Sequence, residues 1–104
     1  VAERTGGALA GVTVVEIASY VSGPFASMLL ADLGANVIKI EPPEGGDPFR
    51  GWGRTDYSAT FGSLNRNKKS VTLNLKEPRD RDAVRGLLAT ADVLIENFRP
   101  GTME

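Results

Sequence analysis

The sequence predicts an α/β fold: a partial Rossmann-like parallel sheet in the order β-α-β-loop-β-α-β. Three observations carry that expectation. Short β-branched runs alternate with helical stretches along the 104 residues. Each helical stretch has a proline near its first turn, and the first is followed by a glycine. No apolar run approaches the ~20 residues of a membrane span, so the apolar segments belong to a buried core.

The elements follow in order. Residues 1–8 are polar and glycine-containing, which reads as a flexible leader. Residues 12–17 are β-branched enough for a strand buried on both faces. Pro24 suits a helix's first turn, where its missing N–H costs nothing. That helix continues through Leu33 and is apolar nearly all round (Phe25, Ala26, Met28, Leu29, Leu30, Leu33), so it is expected to be buried. Gly34 is its C-terminal cap. "NVIKIE", 36–41, is the second strand, ended by Pro42 and Pro43. Residues 42–67 read as one long loop, rich in glycine, aromatics and arginine, and loops of that length are functional or mobile. "SVTLNL", 70–75, alternates as a strand does. The helix after it places Ala83, Val84, Leu87, Leu88 and Ala91 on one stripe. "DVLIENF", 92–98, is the fourth strand. Four strands and two helices cannot cover both sheet faces. The chain therefore reads as a fragment of a larger fold, with residues 9–104 an incomplete domain and an uncovered apolar face prone to self-association.

Composition narrows the function. The net charge of −1 offers nothing to a nucleic-acid backbone. The chain has no cysteine, so disulfides and thiolate chemistry are excluded, which suits the cytoplasm. It has no histidine, the commonest general base and zinc ligand. The start "VAERTGG" has neither the apolar core of a signal peptide nor a transit-peptide pattern. The expectation is a cytoplasmic protein with no membrane, nucleic-acid or metal partner.

Ligands of parallel sheets gather beyond the carboxyl ends of the strands. "ASYVSGP", 18–24, lies there. Two readings stand: its backbone amides contact a phosphate or pantetheine, or it is an ordinary connection with Ser22 as a helix cap. Glu41 ends the second strand, where a nicotinamide-binding fold keeps its ribose-binding acid. With Gly23 alone in the turn, the GxGxxG that such a fold needs is absent. In "NRNKKS", 65–70, Arg66, Lys68 and Lys69 suit either phosphate contacts or a solvated strand entrance. "FRGWGR", 49–54, suits either an aromatic-basic lid or a packing arm. Catalytic motifs are missing: no GxSxG, no HExxH. Asp80 and Asp82 read as surface helix residues. Glu16 and Glu96, near strand ends, read as catalytic acids or as structural hydrogen-bonding groups.

Three stretches in this order and spacing resemble one family: "LAGVTVVEIASYVSGPFASMLLADLGANVIKIEPPEGGDPFRGW", "NRNKKSVTLNLK" and "ADVLIENFRPG". They are similar to the N-terminal part of family III CoA-transferases, a superfamily that includes α-methylacyl-CoA racemases. The resemblance runs from about Leu9 to Gly101. It implies an interlocked homodimer whose Rossmann-like domain binds coenzyme A or acyl-CoA as substrate, with a carboxylic acid as second substrate. It implies CoA transfer through an aspartyl-CoA thioester on a residue beyond Glu104, so no catalytic residue is assigned in this chain. By the same resemblance, CoA contacts fall on Ser19, Tyr20, Val21 and Ser22, on Leu73 and Lys76, and on Asn97, Phe98 and Thr102. Where several members carry a nucleotide-contacting arginine after "KIE", this chain has Pro42. Two alternatives accompany the transferase reading: acyl-CoA α-epimerisation, and a non-catalytic truncated module that binds CoA or docks with a partner. The 104-residue piece alone is expected to be inactive.

Overall fold

The structure, a computed structural model, describes residues 7–52 and 59–103. Most of the expected leader lies outside these residues. The element order is β1 (Thr13–Ile17), α1 (Ser22–Asp32), β2 (Asn36–Glu41), a 3₁₀ turn (Pro48–Gly51), α2 (Ala59–Asn65), β3 (Lys68–Thr72), α3 (Pro78–Thr90) and β4 (Val93–Glu96). All four strands are parallel, in the order β3-β2-β1-β4. This is the strand order of a doubly wound sheet up to its switch point. The expected parallel α/β architecture is what the chain adopts.

Alternation along the strands separates two cores. Val14 and Val37 face α1 and pack with Ala31 and Ala35. Val15, Ile17 and Ile40 face α3 and pack with Val84, flanked by Leu73, Leu75, Leu87 and Leu88. The expected α3 stripe holds except for Ala83, which is exposed. Gly34, at φ +105°, turns the chain from α1 into β2, and its Cα lies 3.0 Å from where a Gly7 side chain would start. Only glycine at both positions lets these backbones touch.

Four expectations are corrected. First, α1 is not buried all round. Gly23, Pro24, Ser27, Met28 and Ala31 face the sheet, while Phe25, Leu29 and Leu33 are 46%, 45% and 50% exposed. A helix lying on a sheet buries one face; the opposite stripe needs a further layer. Second, Ser22 is not the cap: it is the first helical residue, after Val21, and no side chain caps the helix. Third, residues 42–67 are not a single loop. They contain the 3₁₀ turn, capped by Asp47 on the Phe49 N–H, and the short helix α2. The weak helix formers of "ATFGSLN" gave no periodic signal. The remainder of "FRGWGR", from Gly53 on, lies outside the described residues. Fourth, β3 starts two residues earlier than expected and ends at Thr72. Asn74 takes the chain out of the ladder: its N–H goes to Asp80 Oδ2 at 2.8 Å, and its own Oδ1 accepts from Lys76 N at 3.0 Å. That side-chain turn competes with sheet pairing and wins.

Candidate ligand cleft and the buried ion cluster beneath it

Parallel strands deliver their following loops to one edge, and a cleft of ≈ 280 Å³ opens there. Ile17 and Ile40 form its floor, with Ser19, Pro42, Leu73, Lys76 and Phe98 around it. The cleft thus unites loops from all four strands. Its lining is largely apolar, with Lys76 and the Arg50-paired Glu41 as its charged residues, a combination suited to a flat organic group whose phosphate meets Lys76. Pro42 stands in the wall and offers no charge.

The nine sequence-predicted site residues divide. Ser19, Leu73, Lys76 and Phe98 line this cleft. Asn97 does not line it. Its side chain grips Ser19 instead, accepting from Ser19 N at 3.1 Å and donating to Ser19 O at 2.7 Å. Ser22 Oγ lies 3.5 Å from the same amide nitrogen. Tyr20 and Val21 are exposed on the loop, outside the cleft. Tyr20 has φ +66° and sets its ring edge-on to Phe49 and Trp52, with centroids 6.3 and 5.9 Å away. Thr102 lies in a neighbouring cleft with Arg81, Arg85 and Met103, which shares Ile17 and Leu75 with the first. The expectation that loop amides stand open for a phosphate fails at two of them: Ser19 N is taken by Asn97 and Tyr20 N by Asp47 Oδ1 at 3.2 Å.

Beneath the loop lies a feature that sequence reasoning missed. Glu16 is fully buried, and so are Lys39 and Asp47. Strand register sets Glu16 opposite Lys39 and Val37 opposite Lys68, all on the α1 face. Glu16 pairs with Lys39 through one oxygen and with Lys68 and Ser27 through the other. Asp47 Oδ2 lies 2.9 Å from Lys39 Nζ, an ion pair whose angle falls outside hydrogen-bond geometry. Two cations and two anions balance, which is what makes burial tolerable. The solvated reading of the strand entrance is therefore corrected for Lys68, whose side chain is 2% exposed. It holds for Lys69, which is exposed. Arg66 turns to Asp32 at 2.7 Å. Of the two readings of Glu16, the structural one fits its burial and pairing. One signal was available: a lysine inside "VIKI", in a strand buried on both faces, must find a buried partner.

Glu41 closes the nicotinamide reading from the other side. Its carboxylate accepts two bonds from Arg50, at 2.7 and 2.8 Å, one from Asp47 N at 2.8 Å, and one from Ser70. Arg50 in turn stacks 3.9 Å from the Phe61 ring centroid. A carboxylate so occupied is not offering itself to a ribose. Burial alone would raise the Glu41 carboxyl, but the bonds from Arg50, Asp47 N–H and Ser70 outweigh it and hold the group at about 2, against 4.5. The depressed value means that the folded state holds the proton less well than the unfolded state. The stabilisation is complete above about pH 4.5 and is lost as pH falls from there towards 2. Stability measured by urea unfolding from pH 6 down to pH 3 is expected to drop steeply. The drop is expected to be shallower for Glu41→Gln; equal slopes would show that Glu41 is not the titrating group.

A model of the family described as CoA-transferase family III matches residues 9–104. The chain belongs to CoA-transferase family III. It is 48% identical over 96 residues to succinyl-CoA–D-citramalate CoA-transferase of Chloroflexus aurantiacus, covering 89% of this chain and 24% of that one. It is 46% identical over 98 residues to succinyl-CoA:glutarate CoA-transferase of Mus musculus, covering 91% of this chain and 22% of that one. In three dimensions it superposes on a CAIB/BAIF family protein from Brucella suis with a TM-score of 0.90 and 42% identity, over 95% of this chain and 28% of the other. The chain thus spans about a quarter of the length of these proteins.

Proposed function

We propose that this chain is the CoA-binding N-terminal part of an acyl-CoA:carboxylate CoA-transferase, and that the cleft at the strand ends receives part of the CoA nucleotide. One observation carries the reading: Ser19, Leu73, Lys76 and Phe98, distant in sequence, meet in one cleft at the edge where parallel sheets bind ligands. The family membership supplies the ligand class. The relatives named above act between succinyl-CoA and a dicarboxylic acid, which supports a succinyl donor and a dicarboxylate acceptor here. It favours transfer over α-epimerisation.

In this reading Ile17, Ile40 and Leu73 present an apolar bed to the adenine, and Lys76 places its ammonium on a phosphate. The covalent work falls to an aspartate outside this chain. Its carboxylate attacks the acyl-CoA carbonyl and expels CoA thiolate, leaving a mixed anhydride. The thiolate then attacks the aspartyl carbonyl and releases the donor acid, leaving an aspartyl-CoA thioester. The acceptor carboxylate takes the CoA by the reverse sequence. The exposed stripe of Phe25, Leu29 and Leu33 fits a chain that packs against further protein, as an interlocked homodimer requires.

Lys76→Ala in the intact protein is expected to weaken CoA binding about 10- to 100-fold, the worth of one charge-assisted phosphate contact. Isothermal titration measures it. Unchanged affinity would remove Lys76 from the site. Absence of CoA binding by the wild type, with no aspartate trapped after incubation with succinyl-CoA, would sink the whole reading.

A further inference from the structure

Two ammonium groups lie under the β1–α1 loop, and neither lines the strand-end cleft. A lysine ammonium carries three protons. Lys68 Nζ meets three acceptors: a Glu16 oxygen, Asn65 Oδ1 at 2.7 Å and the Pro24 carbonyl at 3.0 Å. Lys39 Nζ donates to Glu16 and to the Ala18 carbonyl at 3.1 Å, and ion-pairs with Asp47 at 2.9 Å. Each cation is anchored on Glu16, and each has a proton left for one end of the loop. Ala18 is where the chain leaves β1; Pro24 is in the first turn of α1. Between them Asn97 grips Ser19 and Asp47 holds Tyr20 N. Tyr20 sits at φ +66°, a conformation that persists only when its surroundings over-determine it.

We propose that Lys68 is a positioning residue for the ligand loop: anchored on Glu16, it fixes the helix end of residues 18–24 through the Pro24 carbonyl, as Lys39 fixes the strand end through Ala18. Its consequence for CoA rests on the function proposed above. Preorganising the loop lowers the ordering cost of binding, so the buried cations act on affinity without touching the ligand.

The same geometry makes the loop responsive to alkaline pH. Loss of one proton leaves Lys68 two donors for three acceptors. The carboxylate holds its bond most strongly, so Pro24 or Asn65 is released. Burial pushes Lys68 down from 10.5 to about 8, with Lys39 adding to the fall, while the charges of Glu16 and Asp47 oppose it. Those three charged groups reach it from β1, β2 and the 42–47 connection, and among the described residues Glu41, Arg50 and Arg66 line the same cavity as Lys68. Helix α1 contributes Ser27, which shares the Pro24 carbonyl at 3.2 Å, and α2 contributes Asn65.

The test compares amide hydrogen exchange in the intact wild type, Lys68→Met and Lys69→Met, the last being the same change one residue along on an exposed side chain. In Lys68→Met the amides of residues 19–23 and of Phe25 are expected to exchange on the order of tenfold faster relative to those of β1. Affinity for an S-alkyl thioether of CoA, which has no thiol to titrate, is expected to fall by a similar factor. Lys69→Met is expected to change neither. Loop exchange equal to wild type in a folded Lys68→Met protein overturns the proposal. Should that variant fail to fold, the wild type decides: loop protection relative to β1 is expected to fall between pH 7 and pH 9, and a constant ratio overturns the proposal. If the wild type binds no CoA analogue, the functional reading fails, while the exchange comparison still decides the role of Lys68.

Discussion

Glu16→Gln is expected to cost about 3–5 kcal/mol of folding stability, the largest effect of any single change of a polar side chain in this chain. The carboxylate is wholly buried and is the common partner of Lys39 and Lys68. Glutamine keeps the shape and removes the charge. Among the described residues, the two buried ammoniums are then left with Asp47 as their paired carboxylate, and it lies against Lys39. The cost is that of uncompensated buried charge, not of one lost hydrogen bond. A double-mutant cycle sharpens the point. Once Glu16 is neutral, Lys68→Met removes a liability instead of a partner, so its cost is expected to be smaller in the Glu16→Gln background by about 1–3 kcal/mol. Chemical denaturation of the four proteins checks both statements; additive costs would mean that the cluster does not act as a unit.

Gly23→Ala is expected to destabilise the protein by about 1–3 kcal/mol and to distort the ligand loop, although alanine is the better helix former. A Cβ at Gly23 would lie 2.4 Å from the Ala18 Cβ and 3.5 Å from Asn97 Cγ. Ala18 is 4% exposed and its methyl cannot swing aside. The strain must go into residues 18–24, whose far end carries the Asn97 clamp on Ser19. CoA affinity is expected to drop about tenfold for each ~1.4 kcal/mol of that strain relieved in the unbound loop. The remedy is specific: Ala18→Gly in the same chain deletes the opposing methyl. The double variant is expected to recover most of the lost thermal stability. A double variant no better than Gly23→Ala alone would place the damage elsewhere.

A strand-loop-helix with Gly23 alone in its turn lacks the GxGxxG of a dinucleotide turn. The structure shows that Gly23 serves close packing of helix against strand end, and that side chains of Asn97, Asp47, Lys39 and Lys68 bond to backbone groups of the loop. Asn97 illustrates the same shift. The family pattern marks it as a ligand contact, while its amide is spent on Ser19. In its polar run Lys68 suits either a phosphate contact or a solvated strand entrance, yet a register partner on β2 and the carboxylate of β1 bury it.

Local pattern determined the parallel α/β class, the helix-start and element-ending residues Pro24, Gly34 and Pro42, and the sheet edge at which the cleft opens. These follow from the period of two in strands, the period of 3.6 in helices, and the side of a parallel sheet on which loops must emerge. Three ordered motifs carried the family. The tertiary structure alone decided the strand order, the half-exposed α1, and the meeting of Glu16, Lys39, Asp47 and Lys68. The reason is physical. A buried charge is tolerable only beside its opposite, and which opposite it meets depends on pairing and register between strands up to 52 positions apart.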